Sequence, residues 1–229
     1  MAALLTRLEG RFPVAFHEHV AVFHRGGEYA CRFISYLDEG LASGDLCHCM
    51  AREDVQGEII RRLRGLRPDL ELWMNSGRLS FCAGSDDRAA LARELKQTFA
   101  RAERTHAPAL RWLDIAGWAE AAGLPREHFF EYHALMNYQV KHHPSAIICQ
   151  FALESLDADS LCAAIAVHRH LIVENTFVRD NPFYSPPEKF WSASEENRHR
   201  EVQEAFREAG FDTEKFLAAL AGYGKLHST

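Results

Sequence analysis

No apolar run in the sequence approaches the roughly 20 residues that span a bilayer, and Met1–Gly10 is too short and too charged for a secretory leader. The chain is therefore expected in the cytoplasm, away from membranes. Glycine and proline are scarce, 14 and 8 among 229 residues, which excludes a broadly disordered chain. Repeats and low-complexity tracts are missing as well. With 26 Lys and Arg against 32 Asp and Glu, the formal charge of −6 argues against direct nucleic-acid binding through a strongly basic surface. The six cysteines lie mostly in apolar segments and read as reduced thiols rather than a disulfide framework.

Catalytic motifs are missing too. After the first readable strand the loop is Arg25-Gly26-Gly27-Glu28, without the lysine and hydroxyl that a phosphate-binding loop needs for phosphate oxygens and magnesium. Neither Gly-x-Gly-x-x-Gly nor Gly-x-Ser-x-Gly occurs, so nucleotide hydrolysis and acyl transfer find no support. Cys-x-x-Cys and His-Glu-x-x-His are also absent. What is abundant is histidine, 13 residues of it, including His17 and His19, Cys47-His48-Cys49, His142-His143 and His168-Arg169-His170. Cys47 and Cys49 read as buried thiols of a central strand, and the histidine pairs as surface polarity or local caps. Asp114, at a strand end, caps the following turn more simply than it holds a metal. No catalytic residue and no metal site is assigned, and no cofactor is identified.

Hydrophobic periodicity predicts alternating strands and helices. Strands are expected at His19–Phe23, Leu46–Met50, Leu110–Ile115 and Ala146–Phe151, with short extended pieces at Leu70–Met74 and Leu79–Ala83. The run 146–151 is apolar throughout, as in a parallel strand covered on both faces. Helical stripes are Ala30, Phe33, Ile34, Leu37 and Leu41; Val55, Ile59, Ile60, Leu63 and Leu66; and Leu91, Leu95 and Phe99. A helix over about Arg126–His142 places Phe130, Ala134, Asn137 and Lys141 beside Phe129, His133, Met136 and Val140. Asp157 or Asp159 caps a short helix bearing Leu161, Ile165 and His168. A fixed loop then runs through Asn181–Pro187, with Phe183, Tyr184, Phe190 and Trp191 docking on the body. Ser192-Ala193-Ser194-Glu195 reads as a capping box opening a helix with Val202, Phe206 and Ala209, and a last helix carries Phe216, Leu217 and Leu220.

The order His19–Phe23, Tyr36–Leu41, Gly44–Cys47, Ser76–Leu79, Leu110–Trp112, Tyr132 with Asn137, Cys149-Gln150-Phe151, His168 and Asn181–Tyr184 resembles the MEDS family, the methanogen/methylotroph DcmR-type sensory domain, over roughly Phe16 to Phe190. His24, His133 and Phe151 depart from the family's usual Tyr, Glu and Tyr. The resemblance implies an α/β fold: a three-layer RecA/KaiC-like, mostly parallel sheet with helices on both faces, lacking a P-loop, with C-terminal helices added. It divides the chain into a sensory domain, 1–190, and a helical extension, 191–229. The function it implies is a non-catalytic sensory or regulatory module that binds a small, often hydrocarbon-derived molecule and signals to a histidine kinase or transcription regulator. A homodimer stays open. Such pockets are mainly apolar with a few convergent polar groups. The expected lining is His19, Phe23, Cys47, Trp112, Tyr132, Gln150 and His168 at the strand ends, with Asn181 to Tyr184 as a lid. Two other readings stay open, a metal-dependent enzyme using the His/Cys-rich set and an interaction module without a ligand.

Overall fold

The computed structural model describes residues 3–25, 32–173, 176–212 and 215. A hairpin of β1 (Leu4–Leu8) and β2 (Phe12–Ala15) precedes the main sheet. That sheet is built from β3 (Glu18–His24), β4 (Leu46–Met50), β5 (Leu79–Cys82), β6 (Leu110–Ile115), β7 (Ser145–Ala152), β8 (His170–Val173) and β9 (Thr176–Val178). Its order is β5-β4-β6-β7-β3-β8-β9, parallel except where β9 turns back antiparallel on β8. Strands β4 and β6 are buried at every position, Arg111 and Asp114 of β6 included, so neither sequence shows the apolar–polar alternation of a strand with one face in water.

Side chains of successive strand residues point to opposite faces, and each face meets its own helical layer. On one face Ala21, Phe23, Trp112, Cys149 and Phe151 pack under α4 (Arg88–Arg104), the short α5 (Trp118–Ala122), α6 (Arg126–His142) and α7 (Ala158–Val167). On the other, Val20, Val22, Cys47, Cys49 and Ile148 pack against α1 (Ile34–Ser43), α2 (Glu53–Leu66) and the β1–β2 hairpin. Crossovers that step one way along the sheet, through α1 and α2, lie on one face, and those that step back, through α4, α6 and α7, lie on the other. A single crossover handedness requires that division. At Gly40 a Cβ would sit 2.5 Å from Arg111 Cδ and 2.8 Å from Cys47 Sγ, so only glycine lets α1 close over β4 and β6.

Four sequence expectations change. Leu70–Met74 is not extended but helical, α3 (Leu70–Asn75), with Leu70 buried and Leu72 71% exposed; one buried side chain per turn satisfies the alternation as well as a strand would. Leu66 and Lys141 leave their stripes and face solvent. Trp191 stays 42% exposed, at the end of an unexpected short helix α8 (Pro187–Ser192) whose Phe190 is the residue that docks. The cap of α9 (Glu195–Glu208) is Ser194, whose Oγ accepts from Asn197 N, not Ser192. Most of the loop after β3, Ala30 and the helix expected around Phe216, Leu217 and Leu220 lie outside the described residues.

Candidate functional site

The start of β3, the middle of α6, the middle of β7 and the residue after α7 converge on one face of the sheet. They bring His19, His133, Cys149 and His168 into one cluster, with one donor atom of each within 4.8 Å of all the others. His19 Nε2 lies 3.0 Å from Cys149 Sγ, and His133 Nδ1 lies 3.6 Å from the same sulfur. The His19 and His133 rings are stacked, and the His168 ring tilts against His19 at a centroid distance of 4.2 Å. All four side chains are at most 2% exposed. Phe129 and Phe151 close the sides.

Two asparagines hold this geometry from the backbone. Asn137 Nδ2 donates to the carbonyls of His133 and Val167. Asn181 Nδ2 donates to the carbonyls of Ile165 and His168, at 2.7 and 3.0 Å. His168 Nδ1 sits 2.6 Å from the Ala164 carbonyl, which fixes the proton on that nitrogen and leaves Nε2 with a lone pair and no partner. His19 Nδ1 and His133 Nε2 are buried without partners as well.

Burial keeps the cluster neutral. It pushes the His19 and His133 imidazoles well below their usual range, helped by the other histidine charges, and brings His168 down to about 4. The Cys149 thiol is pushed well above its usual range by the same loss of water. Burial thus disfavours the thiolate that a nucleophilic cysteine needs. Three neutral nitrogens and one sulfur do make a donor set for a soft metal ion.

The residues expected to line a ligand separate into groups. His19 and His168 join the cluster, and Asn181 anchors it. Phe23 stacks on Phe151 at 5.5 Å nearby, and Tyr132 packs on Trp118 with its hydroxyl buried and unpartnered. Trp112 stands apart, 4.1 Å from the His48 ring. Cys47 and Gln150 face the opposite layer, Gln150 by its alternation with Ala146 and Ile148. Tyr184 lines a separate groove of ≈ 470 Å³ between α6, α7 and α9. Its apolar lining includes Phe130, Cys162, Ala166, Phe183 and Val202, and seven charged residues line it as well, among them Arg198 bound to Glu127 at 2.6 Å. Asp114 does not cap a turn by its backbone; Oδ1 accepts from Trp118 Nε1, and burial lifts the acid to about 7.

The sequence reading missed His133 and Cys149 as members of a site. In the sequence Cys149 belongs to a buried strand and to the Cys149-Gln150-Phe151 segment of the family resemblance, and His133 to a helix stripe where that family has Glu, but no local spacing connects either with His19, 130 positions before Cys149.

Comparison with known proteins gives a consistent picture. The family model of MEDS, the methanogen/methylotroph DcmR sensory domain, matches residues 18–169. The transcriptional repressor DcmR of Methylorubrum extorquens is 25% identical over 168 residues, which is 72% of this chain and 63% of the repressor. The chain thus spans a little under two thirds of that relative's length. His19, His133, Cys149 and His168 all fall inside the family match.

Proposed function

The chain belongs to the MEDS family of sensory domains, and we propose that it is the sensing element of a transcription-regulating system, binding a small and largely apolar molecule in the groove between α6, α7 and α9. The groove carries this reading: ≈ 470 Å³ is the size of a small-molecule site, and its lining sets apolar side chains such as Phe130, Phe183, Phe190 and Val202 beside seven charged residues. The regulatory part draws support from the relative that is itself a transcriptional repressor. A hydrocarbon-derived ligand suits Phe130, Phe183 and Val202, while Tyr184 and Arg198 supply polar contacts.

Occupancy has a direct route outward. Helix α9 forms one wall and is held by Arg198 to Glu127 and by Gln203 to Asp159, so a guest in the groove works against those same contacts. The opposite wall is α7, and the loop 182–185 that lines the groove begins at Asn181, the residue gripping the His168 carbonyl. A protein partner, a transcription regulator or a histidine kinase, would read the resulting position of α9.

Thermal-shift screening of short alcohols, haloalkanes, amines and carboxylates tests this. A ligand at about 100 times its Kd adds roughly 2.7 kcal/mol, which for a chain of this size is a Tm rise of about 5–10 °C. Ala163→Trp, which fills the groove from α7, is expected to erase the shift while leaving the far-UV spectrum native. A wild-type Tm indifferent to the whole panel removes the ligand and leaves α9 as a docking surface.

A further inference from the structure

We propose that His19, His133, Cys149 and His168 bind a single thiophilic transition-metal ion, Zn²⁺ or Cu⁺, in a closed four-coordinate site that ties β3, α6, β7 and the entry to β8 together. The donor set selects this class. It has no carboxylate, and hard ions such as Mg²⁺ and Ca²⁺ need oxygen ligands; imidazole with thiolate suits zinc and copper.

The geometry is close to that of a loaded site. Zinc lies about 2.0–2.1 Å from nitrogen and about 2.3 Å from sulfur, so the edges of its tetrahedron run roughly 3.3–3.6 Å. The separations of 3.0 and 3.6 Å from Cys149 Sγ to His19 Nε2 and His133 Nδ1 bracket that range. The widest separation, up to 4.8 Å, closes by small rotations of rings already in contact. His168 has the arrangement of a metal ligand: one ring nitrogen is committed to the Ala164 carbonyl, and the other is buried, aimed into the cluster's apolar surroundings and unpartnered. Asn137 and Asn181 fix the backbone beneath His133 and His168, the outer support such a site uses.

Binding exchanges one S–H bond for one sulfur–metal bond. Cys149 releases its proton to solvent, and the metal enters and stays in the same oxidation state. With Cu⁺ the thiolate leaves the site neutral; with Zn²⁺ it leaves one positive charge. This site is separate from the α6–α7–α9 groove, so its failure leaves the sensory reading intact.

Elemental analysis of the full chain, purified without metal-affinity resin, is expected to find one zinc or copper per chain. A Cu⁺-selective chelator should remove copper without touching zinc, which assigns the ion. Metal-stripped protein titrated with Co²⁺ should develop intense visible ligand-field bands of a tetrahedral ion and a near-ultraviolet thiolate-to-cobalt band. Cys149→Ser should lose the near-ultraviolet band, His168→Ala should cut metal content at least tenfold, and Cys82→Ser, outside the cluster, should change neither. The wild-type titration stands alone if the variants misfold. Natively folded wild type that neither carries nor takes up Zn²⁺, Cu⁺ or Co²⁺ at one per chain, or binds Co²⁺ without the thiolate band, overturns the proposal.

Discussion

Among single residues, the clearest consequence of this burial falls on His48. Its ring is fully buried in β4, tilts against Trp112 at a centroid distance of 4.1 Å, and has Nδ1 2.8 Å from Ser80 Oγ. Burial, with a smaller contribution from the Arg101 charge, pushes it down to about 3. Glu94 stands 3.8 Å from Nε2, too far for a hydrogen bond, and does not offset that cost. The folded state therefore keeps His48 neutral while the unfolded chain protonates it near pH 6.5. The stability this supplies is complete above pH 6.5 and is lost as pH falls from there toward 3, at about 1.4 kcal/mol per unit. His48→Asn, which keeps a polar atom near Nδ1 but cannot titrate, should be less stable than wild type at pH 7.5 by about 1–3 kcal/mol for the lost ring packing. Its stability should also fall less steeply on acidification. Urea unfolding at pH 7.5, 6 and 5 reads both effects, and parallel curves for the two proteins would contradict the assignment to His48.

Elements fall into those whose residues announce them and those made by their surroundings. The first kind includes β4 and β7, where Leu46–Met50 and Ala146–Phe151 are apolar enough to need cover on both faces, and α6, whose two lines of large side chains fit only a helix. Strands β8 and β9 belong to the second kind. His170–Val173 is four residues long and becomes a strand because β3 offers an open edge beside it, with Val20 opposite His170. The β1–β2 hairpin is similarly obscured, since Leu4 is half exposed and charged residues interrupt its pattern. The candidate cluster was legible by halves: the histidine supply was plain, but His19, His133 and Cys149 meet only through the parallel register of β3 on β7, Ala21 opposite Cys149, and the seat of α6 above it. The start of α9 shows a local rule read two residues early. Ser194→Ala removes the oxygen that accepts from Asn197 N and should cost about 1 kcal/mol of α9 stability. Ser192→Ala, whose hydroxyl only donates to the Lys189 carbonyl on an exposed turn, should leave α9 unchanged. Amide hydrogen exchange within 197–208 distinguishes them, and lost protection in Ser192→Ala with none lost in Ser194→Ala would return the cap to Ser192.

At the scale of the whole molecule, two helical layers close a sheet, and α9 then covers a wall of one layer. Its contribution is specific: Phe206 is 3% exposed, stacks on Phe183 at 4.2 Å, and belongs to the same apolar cluster as Phe130, Cys162 and Phe190. Arg198 adds an ion pair to Glu127 and a bond to the Phe190 carbonyl, with its guanidinium over the Phe190 ring. The sheet itself does not depend on α9, because each of its strands pairs with strands that precede residue 179. A chain ending at Phe190 is therefore expected to keep an α/β far-UV spectrum, weakened only by the helix removed, but to melt lower. Losing the large buried side chain of Phe206 costs about 3–5 kcal/mol by itself, a Tm drop of about 6–20 °C at this chain length. The same truncation strips one wall from the groove, so any ligand that raises the Tm of the full chain should no longer do so. Loss of all secondary structure would place α9 within the folding core. Retention of both the Tm and the ligand shift would show that neither the groove nor the stability of the body involves that helix.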